Sequence, residues 1–192
     1  PFLAQLQHVA QVFVRHKDRR LDPRFFEVID CGNVWHISRI VQIDLPDGPL
    51  HLMAFAATPP VFDGIEDRNG LRNRDELRLW TRVLDGAFGP APDSFVIAGN
   101  ANLDPLAGEG LRAAMGEFLA DPRVQDPLPG VATAYWADLP EVGALRVSYV
   151  LPSHDWQVVD AGVAAPAPDD PSRVDRALGA GPHWLVWVDI AR

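Results

Sequence analysis

The sequence predicts an α+β fold, a mixed or mostly antiparallel sheet sandwich with helices packed on it. Short apolar, β-branched runs bounded by turn residues recur along the chain, whereas helical periodicity is confined to a few segments. Eighteen prolines and fifteen glycines in 192 residues are too many for a helical bundle. The hydrophobic fraction of 47% argues for a packed core and against disorder. The length fits a single domain spanning 1–192, on a scale of roughly 100–200 residues per domain.

In residues 2–14, Leu3, Leu6, Val9, Ala10, Phe13 and Val14 recur at helical spacing and predict an amphipathic helix. The basic run that follows, Arg15 to Arg20, reads as a solvated helix end or as a phosphate-binding patch. Residues 34–43 and 50–56 predict two strands of a hairpin around Pro46-Asp47-Gly48-Pro49. Thr58-Pro59-Pro60 stops the second strand, and the polar residues 63–73 predict a structured loop. Asn73 with Glu76 has the spacing of a capping box, opening a helix with Leu77, Trp80 and Leu84 on one face and Gly86 at its end.

Residues 95–98 (FVIA) predict a strand buried on both faces. Asp104-Pro105 predicts a helix start, with Asp104 as its cap, Leu111, Met115, Phe118 and Leu119 as the apolar face and Asp121-Pro122 as the stop. Residues 125–143 read as loop. Strands are predicted at 145–151, 156–163 and 183–190, the last two separated by the Pro/Asp/Ala-rich 164–172. Trp184 and Trp187, an odd number of residues apart on that last strand, are expected on opposite faces, one of them as an exposed contact surface.

Seventeen Lys and Arg against 26 Asp and Glu leave a net charge of −9, which excludes a broad nucleic-acid surface. No run approaches the roughly 18–20 apolar residues of a membrane span. A soluble chain is expected, cytoplasmic or exported after processing. It opens on Pro1 with no basic-then-apolar leader, so it reads as a processed chain or as the carboxy-terminal part of a longer one. The single cysteine, Cys31, excludes an internal disulfide and a cysteine zinc cluster.

Three motifs in order, Ala98-Gly99-Asn100-Ala101-Asn102-Leu103-Asp104-Pro105, Leu145-Arg146-Val147-Ser148-Tyr149-Val150-Leu151 and His183-Trp184-Leu185-Val186-Trp187-Val188-Asp189, resemble the endonuclease/exonuclease/phosphatase family. A fourth segment, Thr58 to Gly64 with Glu66 to Gly70, is similar to a bacterial subgroup of it. The resemblance covers about residues 50–192. It implies a two-layer β-sandwich flanked by helices, DNase I-like, with an incomplete or shortened first sheet. It also implies Mg²⁺-dependent phosphoester hydrolysis, in which carboxylates hold the metal, an Asp handles the attacking water, an Asn orients the phosphate and histidines stabilise charge.

This sequence departs from that pattern where the chemistry lies. The family's aspartate in Gly-Asp-x-Asn falls on Asn100, the aspartate of its Asp-Tyr-Val-Leu strand on Ser148, and the histidine before its Thr-Pro loop on Ala56. An amide is no base near neutral pH, and a hydroxyl is a poor substitute for a metal-binding carboxylate. Asn102 and His183 match, although His183 follows Gly181-Pro182 where relatives carry Ser-Asp. The resemblance therefore implies a degenerate, non-catalytic binding or assembly module without a certain cofactor, its partner a protein or a phosphorylated small molecule. The alternative is a Mg²⁺-dependent phosphodiesterase or phosphatase with a rearranged site built from Asn102, His183 and the acidic loop Asp63, Glu66 and Asp67.

Each candidate also has a plain structural reading. Asn102 either orients phosphate or satisfies a turn. His183 either meets a ligand or opens a strand. The acidic loop either gathers a divalent ion or is a solvated loop pinned by Arg68 or Arg72. His8, His16, His36, His51 and His154 show no metal-ligand spacing.

Overall fold

The computed structural model describes residues 12–16 and 37–192 other than 168. Its elements in chain order are β1 (Val12–His16), β2 (Ile37–Leu45), β3 (Gly48–Ala56), α1 (Arg68–Leu84), β4 (Phe95–Asn100), α2 (Ala113–Leu119), β5 (Ala134–Trp136), β6 (Gly143–Leu145), β7 (Ser148–Pro152), β8 (Gln157–Val163), α3 (Ser172–Ala180) and β9 (Val186–Ala191). One sheet has the order β2-β3-β4-β7, a second β1-β9-β8, and β5 pairs with β6 beside them. The α+β sandwich expected from the sequence is present. The sheet that holds the N-terminal strand is the smaller, with three strands among the described residues.

Alternation along the strands builds two cores. Leu50, Val96, Ala98 and Val150 face Val186, Val188 and Ile190 across the gap between the sheets. The opposite face of the larger sheet presents Met53, Phe55, Phe95, Ile97, Tyr149 and Leu151 to Leu77, Trp80 and Leu84 of α1 and Met115 and Phe118 of α2. β4 lies in the middle with all six residues buried, as its unbroken apolar run predicts. The β2–β3 hairpin registers Leu45 with Gly48, leaving Pro46-Asp47 as the turn, and Gly48 supplies the left-handed φ of 118° that it needs.

Several expectations are corrected. Residues 12–14, placed at the end of a helix by their spacing, are in β1, whose Val12 and Val14 pair in parallel register with Val186 and Val188. Ladder partners on β9 outweigh a weak helical pattern carried by β-branched residues. The rest of that predicted helix, residues 17–20 of the basic run, residues 34–36 and Cys31 lie outside the described residues.

Helix α1 begins at Arg68, inside the segment read as loop, and Asn73 is not its cap. Asn73 is fully buried, and its Nδ2 donates to the carbonyls of Thr58 and Ala101, each at 2.7 Å. Glu76 accepts from the Thr58 amide at 2.6 Å and hydroxyl at 3.0 Å. The Asn–Glu pair that resembled a cap thus ties the helix to the two chain segments leaving β3 and β4. At the other end Gly86, φ 76°, closes the helix as expected.

Helix α2 is short because Gly108 and Gly110, at φ 73° and 96°, take the chain out of helical space. Asp104 still caps, but it caps a turn: its Oδ1 accepts from the amides of Leu106 and Ala107 at 2.8 and 3.1 Å. The region read as loop contains the β5–β6 hairpin, and α3 was not anticipated. The strand predicted over 145–151 is interrupted, Leu145 ending β6 and Ser148 opening β7, with the amides of Val147 and Ser148 both donating to Thr133 Oγ1 at 2.9 Å. The last strand starts at Val186, so Trp184 precedes it and is buried, while half-buried Trp187 lies over Gly162. Neither is an exposed contact surface. No helix among the described residues is long and apolar enough to cross a membrane.

Two stability predictions follow from this packing. A Cβ on Gly99 would sit 1.9 Å from the Phe55 carbonyl oxygen on the neighbouring strand. Gly99→Ala should destabilise by about 1–3 kcal/mol or more and lower Tm by roughly 2–4 °C per kcal/mol, read by circular dichroism melting. Arg123, bonded to Asp121 at 2.6 and 2.8 Å, holds that carboxyl below its ordinary range. Its contribution is complete above the unfolded value of about 3.9 and fades as pH falls through the lower folded value. Denaturant midpoints at pH 7 and pH 3 should therefore differ less in Asp121→Asn than in the parent.

Candidate functional site

Register sets the site. β3 and β4 run parallel with Ala56 opposite Asn100, and β4 and β7 run antiparallel with Asn100 opposite Ser148. Cross-strand partners share a face, so the three positions at which the sequence departs from the family pattern form one row across the end of the sheet. Val96, Ala98 and Val150 on this face belong to the core between the sheets. The row therefore continues, at the end of the sheet, the face that packs on the second sheet.

Asn100 and Asn102 are locked to each other. The Asn102 amide donates to Asn100 Oδ1 at 3.0 Å, Asn100 Nδ2 donates to Asn102 Oδ1 at 2.9 Å, and Asn102 Nδ2 donates to the Ala57 carbonyl at 2.8 Å. Asn102 holds φ at 50°, a left-handed conformation that asparagine tolerates better than most residues. The turn expected of Asn102 is present after β4, and its side chain stands beside Asn100.

Ser148 is 1% exposed, and its Oγ lies 3.5 Å from His183 Nδ1, the outer limit of a hydrogen bond. His183 reaches the row from the second sheet's side of the molecule. Its backbone bridges Ala134, and its ring meets Trp136 edge-on at 5.7 Å. A carboxylate at position 148 would orient the imidazole and raise its basicity; a hydroxyl only orients it.

Behind the row, sequence reasoning missed a buried ion pair. Arg146 holds Asp126 through two hydrogen bonds of 2.8 and 2.5 Å, lies 4.5 Å over the Tyr149 ring, and its backbone amide donates to Asp104 Oδ2 at 2.7 Å. The Tyr149 hydroxyl is within 2.9 and 2.7 Å of the Leu103 and Arg146 carbonyls, and burial pushes it up, so it stays protonated as their donor. These contacts hold the start of β7 against the turn after β4. No spacing signal links Asp126 to Arg146.

The acidic residues stand apart from this row in the loop between β3 and α1. Asp63 accepts from the Asn69 amide at 2.5 Å, Glu66 pairs with Arg68 at 3.5 Å, and the Asp67 side chain lies against Gly70 at the start of α1. Arg72 pairs instead with Glu76 at 2.9 Å. No group of three His, Cys, Asp or Glu among the described residues is arranged to hold a metal ion. The row itself offers two carboxamides, a hydroxyl and an imidazole. Magnesium favours carboxylate, phosphate and water oxygens, so this donor set does not fit it.

No family model and no curated protein matches the sequence. Among solved structures the chain is similar to an endonuclease/exonuclease/phosphatase from Beutenbergia cavernae, with a TM-score of 0.53 and 19% identity over 79% of this chain and 38% of that one. It is also similar to a humanised D. rerio TDP2, with a TM-score of 0.52 and 13% identity over 82% of this chain and 61% of that one. The chain thus has the DNase I-like fold of these proteins, and it spans less than two thirds of the length of each. Replacing Ser148, 3.5 Å from the imidazole, by Asp should favour the protonated His183 ring, seen as an upward move of its NMR titration relative to the parent.

Proposed function

We propose that this chain is a non-catalytic binding or assembly module carried on the endonuclease/exonuclease/phosphatase fold, its ligand a protein partner or a phosphorylated small molecule. One observation carries the reading: Ala56, Asn100 and Ser148 lie in a single row across the end of the larger sheet, and none of them bears a charge near neutral pH. Phosphoester hydrolysis on this scaffold, by the resemblance, uses carboxylates at two of those places and an imidazole at the third. Carboxamides hydrogen-bonded to each other take up no proton from an attacking water. Single losses in such a constellation often cost powers of ten in rate, and joint losses leave little more than background.

The surroundings support the same reading. β4 is buried throughout, and Tyr149 and Arg146 keep β7 in place. The scaffold is kept while the three positions are neutral, which suits a binding role better than a hydrolytic one. With 10 mM Mg²⁺, a concentration on the order of a Mg²⁺-saturating assay, the protein should hydrolyse bis(4-nitrophenyl) phosphate no faster than buffer. Hydrolysis well above buffer that disappears in His183→Ala would overturn the proposal and favour the rearranged Mg²⁺-dependent phosphoesterase. In the triple variant Asn100→Asp, Ser148→Asp, Ala56→His, metal-dependent hydrolysis is the expected gain.

A further inference from the structure

At the end of the larger sheet away from the row, a cleft opens beside the last turn of α1. Ile40 of β2, His51 of β3 and Val83 of α1 form its floor, and Phe88, Pro90 and Asp93, in the segment between α1 and β4, stand around it. Its volume of about 380 Å³ lies within the range of small-molecule sites. His51 faces the helices with Met53 and Phe55, whereas Ala56 alternates to the other face and lies roughly 17 Å further along the strand. The cleft and the row are therefore separate places.

The walls are preset by the backbone. Gly86 and Gly89 hold φ at 76° and 131°, Ala87 bridges Gly89, and Pro90 and Pro92 restrict the chain that follows. Arg123 fastens the start of this segment by pairing with Asp85 at 3.0 Å while it holds Asp121 at 2.6 Å. A preformed cleft loses less entropy on binding than one that must be ordered.

Two hydrogen-bond acceptors interrupt the apolar lining. His51 Nδ1 lies 3.2 Å from the Ser94 carbonyl, and a carbonyl only accepts, so Nδ1 carries the proton and the neutral ring presents Nε2 as an acceptor. Neither Nε2 nor the exposed Asp93 carboxylate has a partner among the described residues. The cations nearby are turned elsewhere. Arg39 alternates with Ile40 to the other face of β2, and Arg82 is on the side of α1 opposite the buried Leu77, Trp80 and Leu84. Arg123 is paired, and Arg192 lies 4.6 Å over Trp156 of the core between the sheets, donating to Ser94 Oγ at 2.8 Å.

We propose that this cleft binds a small organic ammonium ion, its N–H groups donating to His51 Nε2 and the Asp93 carboxylate and its apolar body lying against Phe88, Ile40 and Val83. The donor set fixes the sign of the ligand: two acceptors, one of them an anion, with no cation on the walls, select against a carboxylate or a phosphate. The site goes beyond the reading of the chain as a binding module and does not depend on the row.

The test is a titration of the full ¹⁵N-labelled chain with tryptamine, and with indole-3-propionate, which keeps the ring and reverses the charge. Tryptamine should shift the amides of Ile40, His51, Val83 and Phe88 saturably, with a Kd on the order of 1 mM, and leave those of Asn100 and Ser148 in place. Indole-3-propionate should bind about tenfold or more weaker. Asp93→Asn, on the exposed rim, should melt with the parent and bind tryptamine roughly fivefold or more weaker, so the result stands even where His51→Phe lowers Tm.

No saturable shift at about 10 mM tryptamine overturns the proposal. So do equal affinity for indole-3-propionate and unchanged affinity in Asp93→Asn, either of which would make the cleft an unselective apolar surface. Shifts confined to Asn100, Ser148 and His183 would put the amine at the row and overturn it as well. A concentration-dependent dimer abolished by Phe88→Ser would make a second copy the occupant, with the same consequence. Phosphodiester hydrolysis by the parent would sink the non-catalytic reading and leave the tryptamine result standing.

Discussion

Strand β4 is hydrogen-bonded on both edges, to β3 in parallel and to β7 antiparallel, and it is buried on both faces. Its small residues make this possible: Ala98 faces the second sheet, and Gly99 lets the strand lie against the Phe55 carbonyl. With both edges taken, the strand cannot slip without exchanging its two faces. That single register decides which side chains stand together at the end of the sheet.

What stands there is electrically quiet. Asn100 and Asn102 satisfy each other, Ser148 faces His183, and Ala56 completes the row without a polar atom in its side chain. The strong charge near the site lies on the other side of the sheet, in the Arg146–Asp126 pair, where it braces β7. Such a pair is better evidence of a specified geometry than of stability, since desolvation offsets much of its attraction. Its role is to hold the start of β7 against the turn after β4.

The same end of the sheet organises the loops. Asn73 and Glu76 on α1 reach the Thr58 and Ala101 backbone and so tie the helix to the first and second loops. Because this anchorage is polar and buried, removing a partner leaves an unsatisfied group, which costs more than the bond itself contributes.

The α+β class, the buried character of β4, the apolar face of α1 and the hairpin turn at Pro46-Asp47 were readable in the sequence, because each depends on periodicity or on turn chemistry within a few residues. The replaced positions Ala56, Asn100 and Ser148 were readable as residue types too. The row they form was not, since it depends on the register of three strands distant along the chain. Asn73 and Glu76 were misread for the same reason: their spacing fits a cap, but buried backbone groups of Thr58 and Ala101 claim their hydrogen bonds. Helix α2 is shorter than its apolar periodicity implies, because the left-handed Gly108 and Gly110 precede it. By itself, then, the sequence determined which segments could be strand or helix and which chemical groups were present. The tertiary structure alone decided which of those groups meet, because strand register and buried polar satisfaction are set between segments and not within them.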